Sequence, residues 1–476
     1  MKAFRAYLLA LAGLCVFSAG GYCQDKVSTF SPLTLETTDR VLILAPHPDD
    51  EILACGGIIQ QAVKLGLPLR IVFFTYGDSN QWSFLVYRKH LVFFPQAVQN
   101  MGLIRHDEDV SAAAALGVSG QQLVFLGYPD FGTLDIWRKH WGNAPSYTSI
   151  LARATAVPYK SAMHPGALYK GEAVLADLKT ILNEFKPTKI FLSHPADHNM
   201  DHRALYLFTV VAVWDLGLDK QVVLYPYLIH YKGWPLPRGR HPDQKLLPPV
   251  FFDGKIDWQV NALTPEQVDR KNAALKKHKT QFESSASYLE AFVRANELFG
   301  DFPTVIPQEA GRFEDEARLE SEGQLDELSD EERLAFVGIK KYSLRLENDR
   351  VVFSINLTGK LGKAAGLSLY LFGYRNDIPF AQMPKIHAQF GALFHHVYDQ
   401  TSKVVLGQAG IEVFHKDQEM SVSVPLRFLG DPSRILISAN TYLGNVPLDL
   451  ISWRIFQLPE KNPLDKPAAP VTISDK

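Results

Sequence analysis

VLILAPHPDDE, residues 41–51, decides how this chain is read. Val41 to Ala45 are apolar without alternation, the pattern of a strand buried on both faces of a parallel sheet. The run stops at His47, Asp49, Asp50 and Glu51. In open α/β folds, ligands bind just beyond the carboxyl ends of such strands. A His and an Asp three residues apart at that point can face one cation. Asp49 between them would be free to act as a base.

Working outward, strands are predicted at 41–45, 69–75, 122–127, 189–193 and 222–229, with helices at 51–65, 106–116, 172–185 and 202–216. This alternation predicts an α/β fold, a doubly wound Rossmann-like parallel sheet. Residues 128–171 are rich in Tyr, Trp, Pro and Gly and read as a long loop that could wall a site. Residues 233–250 read as extended surface chain, and two helices are expected at 265–283 and 287–299. The stretch EDEARLESEGQLDELSDEE dominates 307–335, which reads as an acidic, solvated linker. Beyond it, LRLENDRVVFSINL, GLSLYLFGY and MSVSVPLRFL alternate or run apolar between turn residues. They predict a C-terminal all-β domain at 336–460, a sandwich.

A chain of 476 residues is too long for one ordinary core. Its 46% hydrophobic and 21% charged residues are those of a globular protein, and a net charge of −2 supplies no field for nucleic acid or an anionic membrane. Lys2 and Arg5 precede an apolar Tyr7–Phe17 stretch and the small Ala19-Gly20-Gly21. This pattern predicts a signal peptide at 1–21, a secreted or periplasmic protein, and no stable membrane span once the signal is removed. Leu14 and Tyr22 precede Cys15 and Cys23, where a lipoprotein signal wants a small residue. Cleavage would leave only Cys23 and Cys55, too few for a disulfide framework.

A second cluster follows the fourth strand. KIFLSHPADHNMDHRALY delivers His194, Asp197, His198, Asp201 and His202 in nine residues. Both clusters sit at carboxyl ends of predicted strands, so they can converge on one edge of the sheet. A His–Asp–His set plus water matches a catalytic zinc site. Such a metal polarises a carbonyl and lowers the pKa of its water towards ~7.

APHPDDE followed by the DxxxDHRAL pattern resembles the LmbE/PIG-L family of zinc-dependent N-deacetylases, across a domain expected at 38–300. Members act on N-acetylglucosamine units, as in glycosylphosphatidylinositol, mycothiol and bacillithiol precursors and chitooligosaccharides. The resemblance implies His47, Asp50 and His202 as ligands of Zn2+, with another divalent transition metal as the alternative. It implies Asp49 as general base. RHDEDVSAAAALGV and LGYPDFG resemble two further family segments and imply substrate contacts from Arg105 and Asp130. KNAALKKHKTQ resembles the terminal helix, where His278 reads as a surface histidine without chemistry. Glu51 reads as helix N-terminal charge or support for the site, and Asp201 as a partner that orients His202.

One position departs from the family. Many relatives carry a His where Asn199 stands, and that His stabilises the tetrahedral intermediate or protonates the leaving amine. Asn199 can donate a hydrogen bond to an oxyanion but cannot be a general acid. Either Asp49 returns its proton, or His198, His194 or His230 substitutes.

The expectation is an exported metal-dependent amidohydrolase that removes acetyl from an N-acetylated sugar or glycoconjugate. The alternative is a catalytically decayed carbohydrate-binding protein on the same fold, supported by Asn199 alone. A nucleotide-binding domain would need a Gly-rich phosphate turn after the first strand, and carboxylates stand there instead. Trp82, Tyr87, Phe131, Trp137, Trp141, Tyr231 and Trp234 lie near the expected pocket, where sugar rings could stack, although most suit packing better.

Overall fold

The computed structural model describes residues 30–80, 94–306, 312–316, 333, 336–406, 410–444 and 446–459. The expected signal peptide, Trp82, Tyr87 and most of the expected linker lie outside the described residues. The first half contains β1 (Ser31–Pro32), β2 (Val41–Ala45), α1 (Asp50–Leu65), β3 (Leu69–Thr75), α2 (Pro95–Ala115), β4 (Leu123–Tyr128) and α3 (Thr133–Lys139). It continues through α4 (Gly171–Phe185), β5 (Lys189–Ser193), α5 (Met200–Asp215), β6 (Val223–Tyr227), β7 (Gln259–Ala262), α6 (Pro265–Leu275), α7 (Lys279–Glu290) and β8 (Asn296–Phe299).

Five strands make one parallel sheet in the order β4-β3-β2-β5-β6. The chain runs outward from β2 to β4, then returns to lay β5 on the other side of β2. The strand order therefore reverses between β2 and β5, which opens a crevice beyond their carboxyl ends. All five residues of β2 are buried, which is why the strand shows no polar alternation. No described helix is long and apolar enough to cross a membrane.

Two expectations fail near the end of this half. The helix expected over 265–283 is broken at His278, which has non-helical φ/ψ and starts a new helix. The helix expected over 287–299 ends early, and Asn296–Phe299 pairs antiparallel with β7. All four residues of β8 are buried, so a helix there would have no solvent face. Glu297 is tolerated because it accepts from Gly57 N at 2.7 Å and Asn261 Nδ2 at 3.0 Å, and pairs with Lys271 Nζ at 2.8 Å.

The second half is all-β: β9 (Arg312–Glu316), β10 (Ile339–Glu347), β11 (Arg350–Leu357), β12 (Ala365–Tyr374), β13 (Lys385–Gly391) and β14 (His395–Asp399), then β15 (Glu412–Lys416), β16 (Glu419–Pro425), β17 (Arg434–Leu443), β18 (Val446–Leu450) and β19 (Arg454–Gln457). One sheet runs β15-β16-β11-β10-β9 and the other β14-β13-β12-β17-β18, with β19 also on β17. Leu344, Phe353 and Val422 from one sheet share a core with Leu369, Leu371 and Ile437 from the other, as in a sandwich. Strand β9 lies inside the expected linker. Phe313 packs on Phe456, and Asp315 pairs with Arg454 at 3.0 Å, so an acidic stretch acquires a place in the sheet.

The six-stranded sheet turns its other face to the α/β half. Tyr370, Phe372, Tyr374 and Trp453 belong to the first core, not the sandwich core. Trp137 is the centre of this seam, 5.1 Å from Phe208, 5.1 Å from Phe380 and 6.1 Å from Trp453 between ring centroids. Trp137 and Trp141 are therefore packing residues between the two halves. Truncating a buried tryptophan forfeits both transfer energy and packing. Trp453→Ala is expected to cost about 3–5 kcal/mol, read as a lower denaturant midpoint. An unchanged midpoint would contradict the seam.

Candidate metal centre

The site is built on the turn between β2 and α1. Asp49 takes φ 113° there, a left-handed conformation unusual for a side-chain-bearing residue. Its N–H donates to Glu51 Oε2 at 3.1 Å, while its carbonyl accepts the first helical bonds of α1. This geometry separates the two adjacent carboxylates. Asp50 turns back over His47, accepting from its backbone N at 2.9 Å.

Asp50 Oδ2 lies 3.2 Å from His47 Nδ1 and 3.1 Å from His202 Nε2. His202 stands in the first turn of α5, beyond β5, so both sides of the switch point supply the cluster. Asp50 and His202 are completely buried, and His47 is 7% exposed. Asp50 Oδ1 and both His202 nitrogens make no hydrogen bond among the described residues. Two imidazoles and a carboxylate converge here, with Asp50 Oδ1 and the His202 nitrogens unpartnered, a donor set that fits a tetrahedral divalent cation with one open position.

Each imidazole has a carboxylate close to its far nitrogen, placed to orient it. Asp197 Oδ2 lies 3.2 Å from His202 Nδ1. Asp201 Oδ2 and Asp130 Oδ1 lie 3.2 and 3.3 Å from His47 Nε2. Asp201 thus supports His47, not its neighbour His202. Successive helical residues point about 100° apart, so Asp201 faces the loop after β4, accepting from Phe131 N at 2.6 Å and Thr133 N at 3.1 Å. Asp197 ties β5 to β6 by accepting from Ile229 N at 3.0 Å and His230 N at 2.9 Å.

These contacts set the protonation states. Burial alone would lower the His202 pKa, but Asp197 and Asp50 outweigh it and raise it to about 9. Burial opposes ionisation of Asp50 too, yet His202 and His47 hold it well below the usual carboxylate range. Asp49 has no such partner. Burial, then the Asp50 charge, push it up to about 7, against the pull of Arg105 and His278.

Two residues expected at the substrate are committed elsewhere. Arg105 is buried and donates to Gly77 O at 2.7 Å and Pro48 O at 2.6 Å, with Asp49 Oδ2 at 3.5 Å. It holds the catalytic turn from beneath. Asn199 caps α5, its Oδ1 accepting from Asp201 N at 2.8 Å. Asp130 does reach the site, fixed by Ser79 N at 2.8 Å.

The three candidate substitute histidines separate cleanly. His194 is buried against Phe252, Trp258 and Phe302, and burial lowers it to about 3. His198 packs at a tilt against Tyr231, ring centroids 4.7 Å apart, and burial lowers it to about 4. Only His230 faces the centre, its ring 4.6 Å from His202 and 6.3 Å from His47. Its Nδ1 lies 3.4 Å from Asp197 Oδ1, and its side chain is 36% exposed.

His278 is not a surface residue. It is completely buried, with Nε2 3.4 Å from Glu51 Oε1 and Nδ1 3.7 Å from Asp109 Oδ1. Through Glu51 it backs the Asp49 turn. Its neighbours Lys276, Lys277 and Lys279 disguise it in the sequence; the buried acid Asp109, one residue after Glu108 on α2, is the partner that explains it. Among the pocket aromatics, Phe131 stands at the rim, 50% exposed and 6.4 Å from His47, whereas Trp234 is buried.

The fold and site define a doubly wound α/β protein with a buried His–carboxylate centre at its switch point. Residues 42–213 match the family described as PIG-L: GlcNAc-PI de-N-acetylase. A 1D-myo-inositol 2-acetamido-2-deoxy-alpha-D-glucopyranoside deacetylase of Mycobacterium sp. (strain KMS) is 25% identical over 291 residues, 57% of this chain and 82% of the relative. One of the same description from Saccharopolyspora erythraea, numbered 1, is 31% identical over 176 residues, 36% of this chain and 51% of the relative. The solved structure of N,N'-diacetylchitobiose deacetylase from Pyrococcus horikoshii is 19% identical, with a TM-score of 0.34, over 55% of this chain and 82% of that one. The relatives are sugar N-deacetylases by name.

Metal binding needs neutral imidazoles. Burial opposes protonation of both imidazoles, but the carboxylates around them raise His202 to about 9 and His47 well above its ordinary value, so the metal-free site favours the protonated forms. Zinc binding is therefore expected to release protons, with affinity rising from pH 6 to 8. Calorimetry in buffers of different ionisation enthalpy reads this directly. Binding without proton release would contradict the assignment.

Proposed function

We propose that the protein is an exported, metal-dependent amidohydrolase that removes acetyl from an N-acetylated amino sugar or glycoconjugate. The observation that carries this reading is the convergence of His47, Asp50 and His202 with Asp49 set apart beside them. These three residues would hold zinc or another divalent transition metal, which supplies Lewis acidity and acidifies a coordinated water. The export component rests on the basic and apolar N-terminal pattern, and cleavage after Gly21 in the secreted protein is its check.

Asp49 takes the proton from the attacking water. Its raised pKa makes it a better base than an ordinary carboxylate. Arg105 and the Glu51–His278 pair keep its turn in place. His230 approaches from the far side with Nδ1 directed at Asp197, which leaves Nε2 to carry a proton to the departing amine. Asp130 and the exposed ring of Phe131 border the crevice and offer a hydroxyl acceptor and a stacking face to the sugar. The decayed-binder alternative loses its support, because Asn199 serves as a helix cap and His230 occupies the useful place.

Zinc-loaded protein should release acetate from an N-acetylglucosamine derivative. Asp49→Asn should lower kcat by ~10²–10⁴, the usual contribution of a positioned acid or base. No acetate from a broad panel, or full activity in Asp49→Asn, would refute the reading.

The pH profile gives a second check. Asp49 must be ionised to act, so kcat/KM falls as pH drops through its pKa. Arg105 pulls that pKa down, and a bound cation adds to the pull, so the acid limb belongs at or below about 7. Arg105→Gln should move the limb to higher pH, and a limb that stays put would exclude Asp49 as the titrating base.

A further inference from the structure

The β half carries a concave surface remote in the fold from the metal centre. A groove of about 480 Å³ crosses the outer face of the sheet β15-β16-β11-β10-β9. The strand register explains its shape. Ser343 pairs with Ser354, Ser354 with Ser421, and Ser421 with Phe414, which places three serines and a phenylalanine in one row across four strands. On one side stand Arg312 and Arg345; on the other stand Lys341, Asn356 and Glu419. Residues two apart on a strand share a face, so the serines form the floor and the long side chains the walls. With strands about 4.8 Å apart, the row from Ser343 to Phe414 spans roughly 14 Å.

Ser343, 2% exposed, lines the groove together with Ser354 and Ser421, and this row of hydroxyls offers hydrogen-bond donors and acceptors along the floor. Phe414, 47% exposed, presents its ring at one end.

We propose that this groove binds an uncharged oligosaccharide chain. Its three cations face three carboxylates: Arg312 and Lys341 share Glu314, the former at 2.8 Å, Arg345 pairs with Glu347 at 2.7 Å, and Glu419 stands on the wall. The wall therefore offers fixed donors and acceptors in place of a net field, which suits neutral hydroxyls better than phosphate or sulfate. A protein partner would want a cluster of exposed apolar anchors; of the apolar residues lining the groove, Tyr342, Ile355 and Met420 are buried and Phe414 alone is exposed. The volume lies within the range of small-ligand sites. Saccharide binding here stands apart from catalysis; it rests on the deacetylase reading only in the choice of an N-acetylated chain as probe.

The test is calorimetric titration of the N-acetylglucosamine tetrasaccharide into the full chain. An Asp49→Asn background slows turnover, and Phe414→Ala or Ser354→Trp is added to it. The result expected is at least a tenfold loss of affinity in either folded groove variant. Turnover of an N-acetylated monosaccharide by the same groove variants with Asp49 intact should be unchanged. Phe414→Ala alters an exposed side chain, so it decides the matter if Ser354→Trp does not fold. Unchanged tetrasaccharide affinity in the groove variants, or no tetrasaccharide binding at all, would overturn the proposal. So would a Phe414→Ala effect confined to self-association, which would give the face to a second copy of the chain. Groove-dependent binding without any acetate release would remove the deacetylase reading and leave the groove standing; intact turnover with groove-independent binding would do the reverse.

Discussion

The buried carboxylate of Asp50, held between two imidazoles, is the interaction on which the rest of the site depends. It sits in the first turn of α1, where the helix N-terminus favours negative charge. It contacts His47 from its own turn and His202 from the far side of the switch point. Removing a carboxylate from water is costly unless charge and hydrogen bonds compensate. Here His202 and His47 compensate, and they in turn are backed by Asp197 and by Asp201 with Asp130. An enclosure so rich in carboxylates favours positive charge within it. The neighbouring Asp49, given no cationic partner as close, stays easy to protonate near neutrality.

Much of this was legible in the sequence because buried parallel strands and strand-end polar residues leave a local signature. β2, β3 and β5 fall where their apolar runs predict, and His47, Asp50 and His202 meet as their strand-end positions suggest. The misses share a cause: each depends on a partner distant in sequence. Asp201 and His202 are adjacent, yet helical geometry sends them to different imidazoles. His278 is flanked by lysines, and only the packing of α7 against Glu51 and Asp109 reveals it as buried. Asn199 looked like a lost catalytic group; the structure makes it a cap and brings His230 in from the loop after β6. Strand β8 was hidden because Glu297 interrupts its apolar pattern, and that charge is matched by Lys271.

The β half bears on the site through α5. Nearly every residue of that helix is buried, since one side faces the parallel sheet and another faces the seam around Trp137 and Phe208. A helix enclosed in this way has little freedom to rotate or slide, and it carries Asp201 and His202 at its start. The seam therefore connects sandwich packing to the placement of a ligand. It occupies one face of the sandwich and leaves the serine-floored face of the other sheet outward.

The central claim is that His47, Asp50 and His202 form one metal site. Anomalous diffraction from zinc-loaded crystals, measured on both sides of the zinc absorption edge, tests it most directly. The expected peak is bounded by His47 Nδ1, an oxygen of Asp50 and His202 Nε2, with Asp49 beside it and not ligating. The absence of a peak there, or a peak confined to the Glu51, Asp109 and His278 cluster, would contradict it.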